Sequence, residues 1–123
     1  MRLVSLIFLA ISCMAGSAFA QIKTTDKAVI KTPYVQCDNC KEKVEFFIGH
    51  EAGVTSVNVN IKKHTTTVTW LTDRTTLENI KTAIANLGFD ADDIEAEEFA
   101  YKRLPKECKM HKEASKPLPI KNN

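Results

Sequence analysis

Two alternating stretches joined by a short polar link constrain this chain more than any other feature. In "VTSVNVNI", Val57, Val59 and Ile61 fall on one face and Ser56, Asn58 and Asn60 on the other. "TTTVTWL" repeats the pattern with Thr66, Val68 and Trp70, and the intervening "KKHT" is short enough for a hairpin. His64, in that link, reads as a polar turn residue.

The flanking segments supply the rest of a small sandwich. "KAVIKTPYV", Lys27 to Val35, reads as a first strand whose end is loosened by Pro33. From Asp38 the apolar positions Cys40, Val44, Phe47 and Ile48 make a helical stripe ending near Gly49, with Asp38 or Asn39 placed to cap its start. His50 sits beyond it as an end-of-helix cation or surface residue. Thr75 and Glu78 have capping-box spacing, and Leu77, Ile80, Ile84 and Leu87 then form one helical face that Gly88 ends. "DDIEAEE" is read as a short fourth strand, "EEFAYKRL" as a turn or two of helix before Pro105, and "KPLPIKNN" as a disordered end. The order β-α-β-β-α-β predicts an α+β, ferredoxin-like sandwich: a four-stranded antiparallel sheet with two helices on one face. Trp70 and Phe47 are assigned to its core.

At the start of the chain, one Arg, an apolar run from Leu3 to about Met14 and a small-residue end at Ala18-Phe19-Ala20 read as a signal peptide cleaved before Gln21. The run is too short for an ordinary transmembrane helix. A rival reading makes Cys13 a lipid-attachment cysteine. The predicted organisation is a leader at 1–20, one domain at 21–100 and a basic tail at 101–123. Loss of Arg2 leaves 16 basic against 15 acidic residues, a formal charge of +1, which argues against general nucleic-acid binding. Acids from Asp90 to Glu98 are followed by lysines from Lys102 onward, read as a solvated strand edge and a soluble tail. No Ser-His-Asp, phosphate-loop or paired-carboxylate pattern appears, so the chain is not read as an enzyme.

Processing leaves Cys37, Cys40 and Cys108, an odd number that cannot pair fully within the chain. Cys37 and Cys40 stand three residues apart where strand becomes helix. A metal site, a redox dithiol and a static disulfide all fit that spacing, and the first is preferred. Thiolates are soft ligands suited to Cu(I), Hg(II), Cd(II) and Zn(II). Two thiolates carry −2, so Cu(I) leaves −1 and a divalent ion leaves zero. A helix N-terminus contributes about +0.5, and Lys41 and Lys43 lie in the first turns, so both thiols are expected below the free value of about 8.5. Zinc is less suited to two sulfurs, since it usually takes four ligands. "ECKMHK" adds Cys108, Met110 and His111, a thiol, a thioether and an imidazole within four residues, as further candidate ligands.

With the elements placed, the chain resembles the heavy-metal-associated domain of copper chaperones, metal-pumping ATPases and periplasmic mercury binders. The resemblance covers about Lys27 to Ala96 and rests on "VQCDNC" entering the first helix, "EAGVTSVNVN", "TTTVTW" and "LENIKTAIANLGFDA". Val35 stands where the family has Met beneath the loop, Tyr34 where it has Gly, and Phe89 where it often has Tyr. The resemblance implies an exposed capture loop that passes its ion to a partner by thiolate exchange. The implied partner is a metal donor or acceptor, such as a metal-transporting ATPase or another exported metal binder, with the protein itself a monomer or a metal-bridged dimer. In this fold the loop of Phe89 faces the cysteines, where its ring can shield the ion.

Overall fold

The computed structural model describes residues 24–115. The expected leader, its Cys13 and the "KPLPIKNN" end lie outside the described residues. The hairpin forms as the alternation dictates: β2 (Val54–Asn60) and β3 (Thr65–Leu71) pair antiparallel, Val57 opposite Val68 and Val59 opposite Thr66. His64 closes the turn at φ 55°, and its carbonyl accepts the Thr32 N–H at 2.9 Å. β1 (Thr25–Lys31) pairs antiparallel with the other side of β3, so the sheet runs β1-β3-β2. It stops before Pro33, which has no N–H to contribute to a ladder.

The inward face of the sheet carries Ile30, Val59, Thr66, Val68 and Trp70. Helix α1 (Asp38–Gly49) covers it with Cys40, Val44 and Ile48, and α2 (Leu77–Asn86) with Ile80 and Ile84. Val35, Phe89, Ala91 and Leu104 complete the same core. Full burial of each aliphatic side chain contributes about 1.5–3 kcal/mol. The buried hydroxyls of Thr32 and Thr66 satisfy one another at 2.8 Å, which avoids the cost of a lone polar group. Phe47, assigned to the core from sequence, is instead 48% exposed. The buried stripe runs at i, i+4, i+8 from Cys40, and that turns Phe47 away from it. Its ring lies edge-on to Phe46 with centroids 5.3 Å apart.

Both caps differ from expectation. Cys37 itself caps α1, its sulfur accepting the Cys40 N–H at 3.3 Å, while Asp38 falls inside the first turn. Thr76, not Thr75, caps α2 by accepting the Asn79 N–H at 3.3 Å. The Thr75 N–H is already bonded to the Leu71 carbonyl at 3.2 Å, which places Thr75 in the preceding turn. Glu78 therefore closes no capping box and pairs with Lys81 at 2.8 Å. At the other end of α1, the His50 ring lies 2.6 Å from the Phe46 carbonyl through Nδ1. Gly88 ends α2 region at φ 103°, as read, and a Cβ there would meet the Ala100 backbone at 3.0 Å.

The fourth strand is not formed; the described sheet has three strands. The segment touches β1 at one point, where Asp92 donates its N–H to the Lys31 carbonyl at 2.9 Å and its carboxylate accepts the Lys31 N–H at 2.7 Å. Asp92 then turns away at φ 50°, a conformation Asp tolerates, and a single bridge joins Ala91 to Ile94. Strands disfavour Asp and Glu, and here the acids act as local hydrogen-bond acceptors instead. Asp90 accepts the Ala96 N–H at 2.8 Å, and Glu97 caps α3 (Glu98–Lys102) by accepting the Phe99 and Ala100 N–H groups. The acidic run is thus a set of turn closers and caps rather than a strand edge. Asp93 also reaches Lys81 at 2.8 Å. Asp93, then Glu78, hold the Lys81 ammonium well above its ordinary pKa, and Lys81 holds the Asp93 carboxyl below its own. After the predicted turn of helix comes α4 (Lys106–Ser115), where the sequence suggested an unpacked tail.

Candidate metal centre

The connection from β1 to α1 is shaped from beneath. Val35 is fully buried in the core, so an aliphatic side chain does fill the space under the loop. Pro33 accepts the Gln36 side-chain N–H at 2.8 Å, and the Val35 N–H reaches the Thr32 carbonyl at 3.2 Å. The chain therefore arrives at Cys37 extended, at φ −129° and ψ 160°, and turns directly into α1. Cys37 stays partly exposed, whereas Cys40, facing inward from the first turn, is fully buried.

Helix α4 brings the third sulfur to this point. Cys108 is 1% exposed, and the Sγ atoms of Cys37, Cys40 and Cys108 all lie within 4.8 Å of one another. Cys40 Sγ is in direct contact with both of the others, and Cys37 and Cys108 are 3.9 Å apart. One sulfur forms one disulfide at a time, so this is a three-sulfur cluster in which either neighbour can pair with Cys40. Two helix starts converge on it, because Cys108 is the third residue of α4 and Cys37 caps α1. Each start carries about half a positive charge, which favours negative charge on sulfur. Three buried or half-buried soft donors could hold a thiophilic ion and suit it better than a hard cation.

The other expected site residues are distributed unevenly. Lys41 lies 3.8 Å from Glu45, and Lys43 over the Phe47 ring at 5.9 Å, so their charges are directed along the helix. Phe89 is 1% exposed within the same core as Cys40 and Cys108. The backbone of Met110 and His111 belongs to α4, but their side chains lie outside the described residues. Sequence reasoning missed the anchors of α4. Lys112 pairs with Asp90 at 2.7 Å and stands over the rings of Tyr34 and Tyr101, at 5.6 and 5.2 Å from their centroids. Asn39 donates to Glu107 at 2.9 Å across the two helices. The signal was present as Cys108 and Lys112, spaced four apart on one face of α4.

The family model of the heavy-metal-associated domain matches residues 29–90. The copper chaperone CopZ of Staphylococcus haemolyticus (strain JCSC1435) is 34% identical over 62 residues, 50% of this chain and 91% of that one. Copper-transporting ATPase 1 of Mus musculus is 33% identical over 67 residues, 54% of this chain and only 4% of that protein's length. Among solved structures, oxidised MerP from Ralstonia metallidurans CH34 shares the fold, with a TM-score of 0.53 at 24% identity over 55% of this chain and 94% of that one. From within β1 to the turn after α2, with the Cys37–Cys40 loop between, the chain belongs to the heavy-metal-associated domain family.

Proposed function

We propose that this protein is an exported soft-metal binder that captures an ion through Cys37 and Cys40 and passes it to a partner protein or sequesters it. The observation that supports this best is the pair of sulfurs at the start of α1, one capping the helix and one turned inward, inside a heavy-metal-associated domain. Cu(I) is the first choice of cargo, in keeping with copper chaperones among the relatives, and Hg(II) the second; Zn(II) and Cd(II) share the same softness. The partner is a metal donor or acceptor, of the kind a metal-transporting ATPase or another exported metal binder represents. The apolar N-terminal run with its small-residue end supports export to a periplasm or the exterior. Among the described residues no helix is long and apolar enough to cross a membrane.

Anaerobic titration of the reduced protein tests the reading. Tight binding of about one ion is expected, and it is lost when Cys37 and Cys40 are both changed to Ser. Unchanged affinity in that double variant would falsify the proposal.

A further inference from the structure

Of the described side chains of helix α4, Lys106 and Glu107 are exposed, Lys109 and Lys112 are partly exposed, and only Cys108 is buried. A helix docked for stability presents an apolar stripe to its neighbour. Among its described side chains, this one presents a sulfur to two other sulfurs. The other attachments of its described residues are peripheral and mostly polar: Asn39 to Glu107, Lys112 to Asp90 beside the Tyr34 and Tyr101 rings, the Tyr101 hydroxyl to the Lys109 carbonyl, and the Lys109 ammonium to the Lys102 carbonyl. The matched family span ends at residue 90, so the arm lies beyond the part of the chain that defines the family.

We propose that Cys108 is the resident third thiolate of the site, carried on a closing arm, so that the cargo is held by three sulfurs until a partner's thiolate replaces Cys108. This rests on the capture role of Cys37 and Cys40. The charges fit a closed site. Three thiolates carry −3, two helix starts supply about +1 between them, and a bound ion supplies +1 or +2. Handover is a ligand exchange with no change in oxidation state. The partner sulfur forms a bond to the ion, the Cys108–ion bond breaks, and the proton lost by the partner thiol passes to Cys108 or to solvent. The arm then swings from a loop that its own polar anchors do not cover completely, since Cys37 remains partly exposed to an incoming thiol.

X-ray absorption on the reduced protein carrying one equivalent of Hg(II), and separately Cu(I), counts the sulfurs directly. Three are expected in the wild type and two in Cys108→Ser, and release to excess dithiothreitol should be about tenfold faster in the variant, equivalent to about 1.4 kcal/mol. A wild-type count of two overturns the arm proposal while leaving capture by Cys37 and Cys40 intact. Binding with no loss on changing Cys37 and Cys40 overturns the capture reading instead. The wild-type count needs no variant to fold, so the proposal stays exposed even if Cys108→Ser is unstable.

Discussion

Two helices meet at the sulfur cluster, and they are held there by different forces. Helix α1 lies on the sheet through Cys40, Val44 and Ile48, all buried, so its sulfurs are tied to the core of the domain. Helix α4 has only Cys108 buried among its described side chains and is otherwise secured by Asn39–Glu107 and by Lys112 with Asp90, Tyr34 and Tyr101. Apolar burial is cooperative with global folding, whereas a few polar contacts, one exposed and one partly buried, open locally at lower cost. In the reduced protein, where no Cys40–Cys108 bond ties the two helices, the difference favours α1 as a platform and α4 as the proposed arm.

The comparison can be broken most forcefully at the platform. Ile84→Ala removes a fully buried side chain that packs in the same core as α1, and a loss of about 2–5 kcal/mol is expected in urea unfolding, with metal binding lost at the same midpoint. Gly88→Ala comes next. A non-glycine residue at φ 103° is strained, and the added Cβ meets the Ala100 backbone at 3.0 Å, so a loss of about 1–3 kcal/mol is expected in the same measurement. Lys112→Met addresses the arm alone. It should cost about 1–2 kcal/mol, and hydrogen exchange should rise in α4 but not in α1. Equal rises in both helices would remove the distinction between platform and arm.

The smallest effect concerns pH. Lys81 keeps the Asp93 carboxyl below 3.8 in the folded state, so this contact contributes fully above that value and fades as the pH falls through the lower folded one. Lys81 is raised above 10.5, so its contribution is complete below that and is lost only in stronger alkali. NMR titration should therefore show the turn around Asp93 loosening only on acidification past about pH 3.8. Loosening near neutrality would contradict the pairing.

The hairpin, both main helices and the glycine at the end of α2 were legible because each is written in a local period. Val57 to Ile61 and Thr66 to Trp70 alternate, and Ile80, Ile84 and Leu87 recur at helical spacing. The Cys37–Cys40 spacing is likewise local, three residues apart at the start of α1. The caps were each missed by a residue or more, since Asp38, Thr75 and Thr76 are all competent and the choice depends on which N–H groups the preceding turn has already engaged. Phe47 was misplaced because a stripe of apolar letters is wider than the face that finally meets the sheet.

By itself the sequence determined the hairpin, the two covering helices and a pair of soft donors at the start of the first. These follow from periodicity and from thiol chemistry, which neighbours in the chain suffice to specify. Only the tertiary structure decided that the acidic run closes turns instead of extending the sheet, and that Cys108, 68 residues from Cys40, joins it. Such contacts depend on where Asp92 turns the chain and on whether Lys112 finds Asp90 and two aromatic rings. No local pattern encodes those distances, because they exist only after the core has set these distant segments of the chain beside each other.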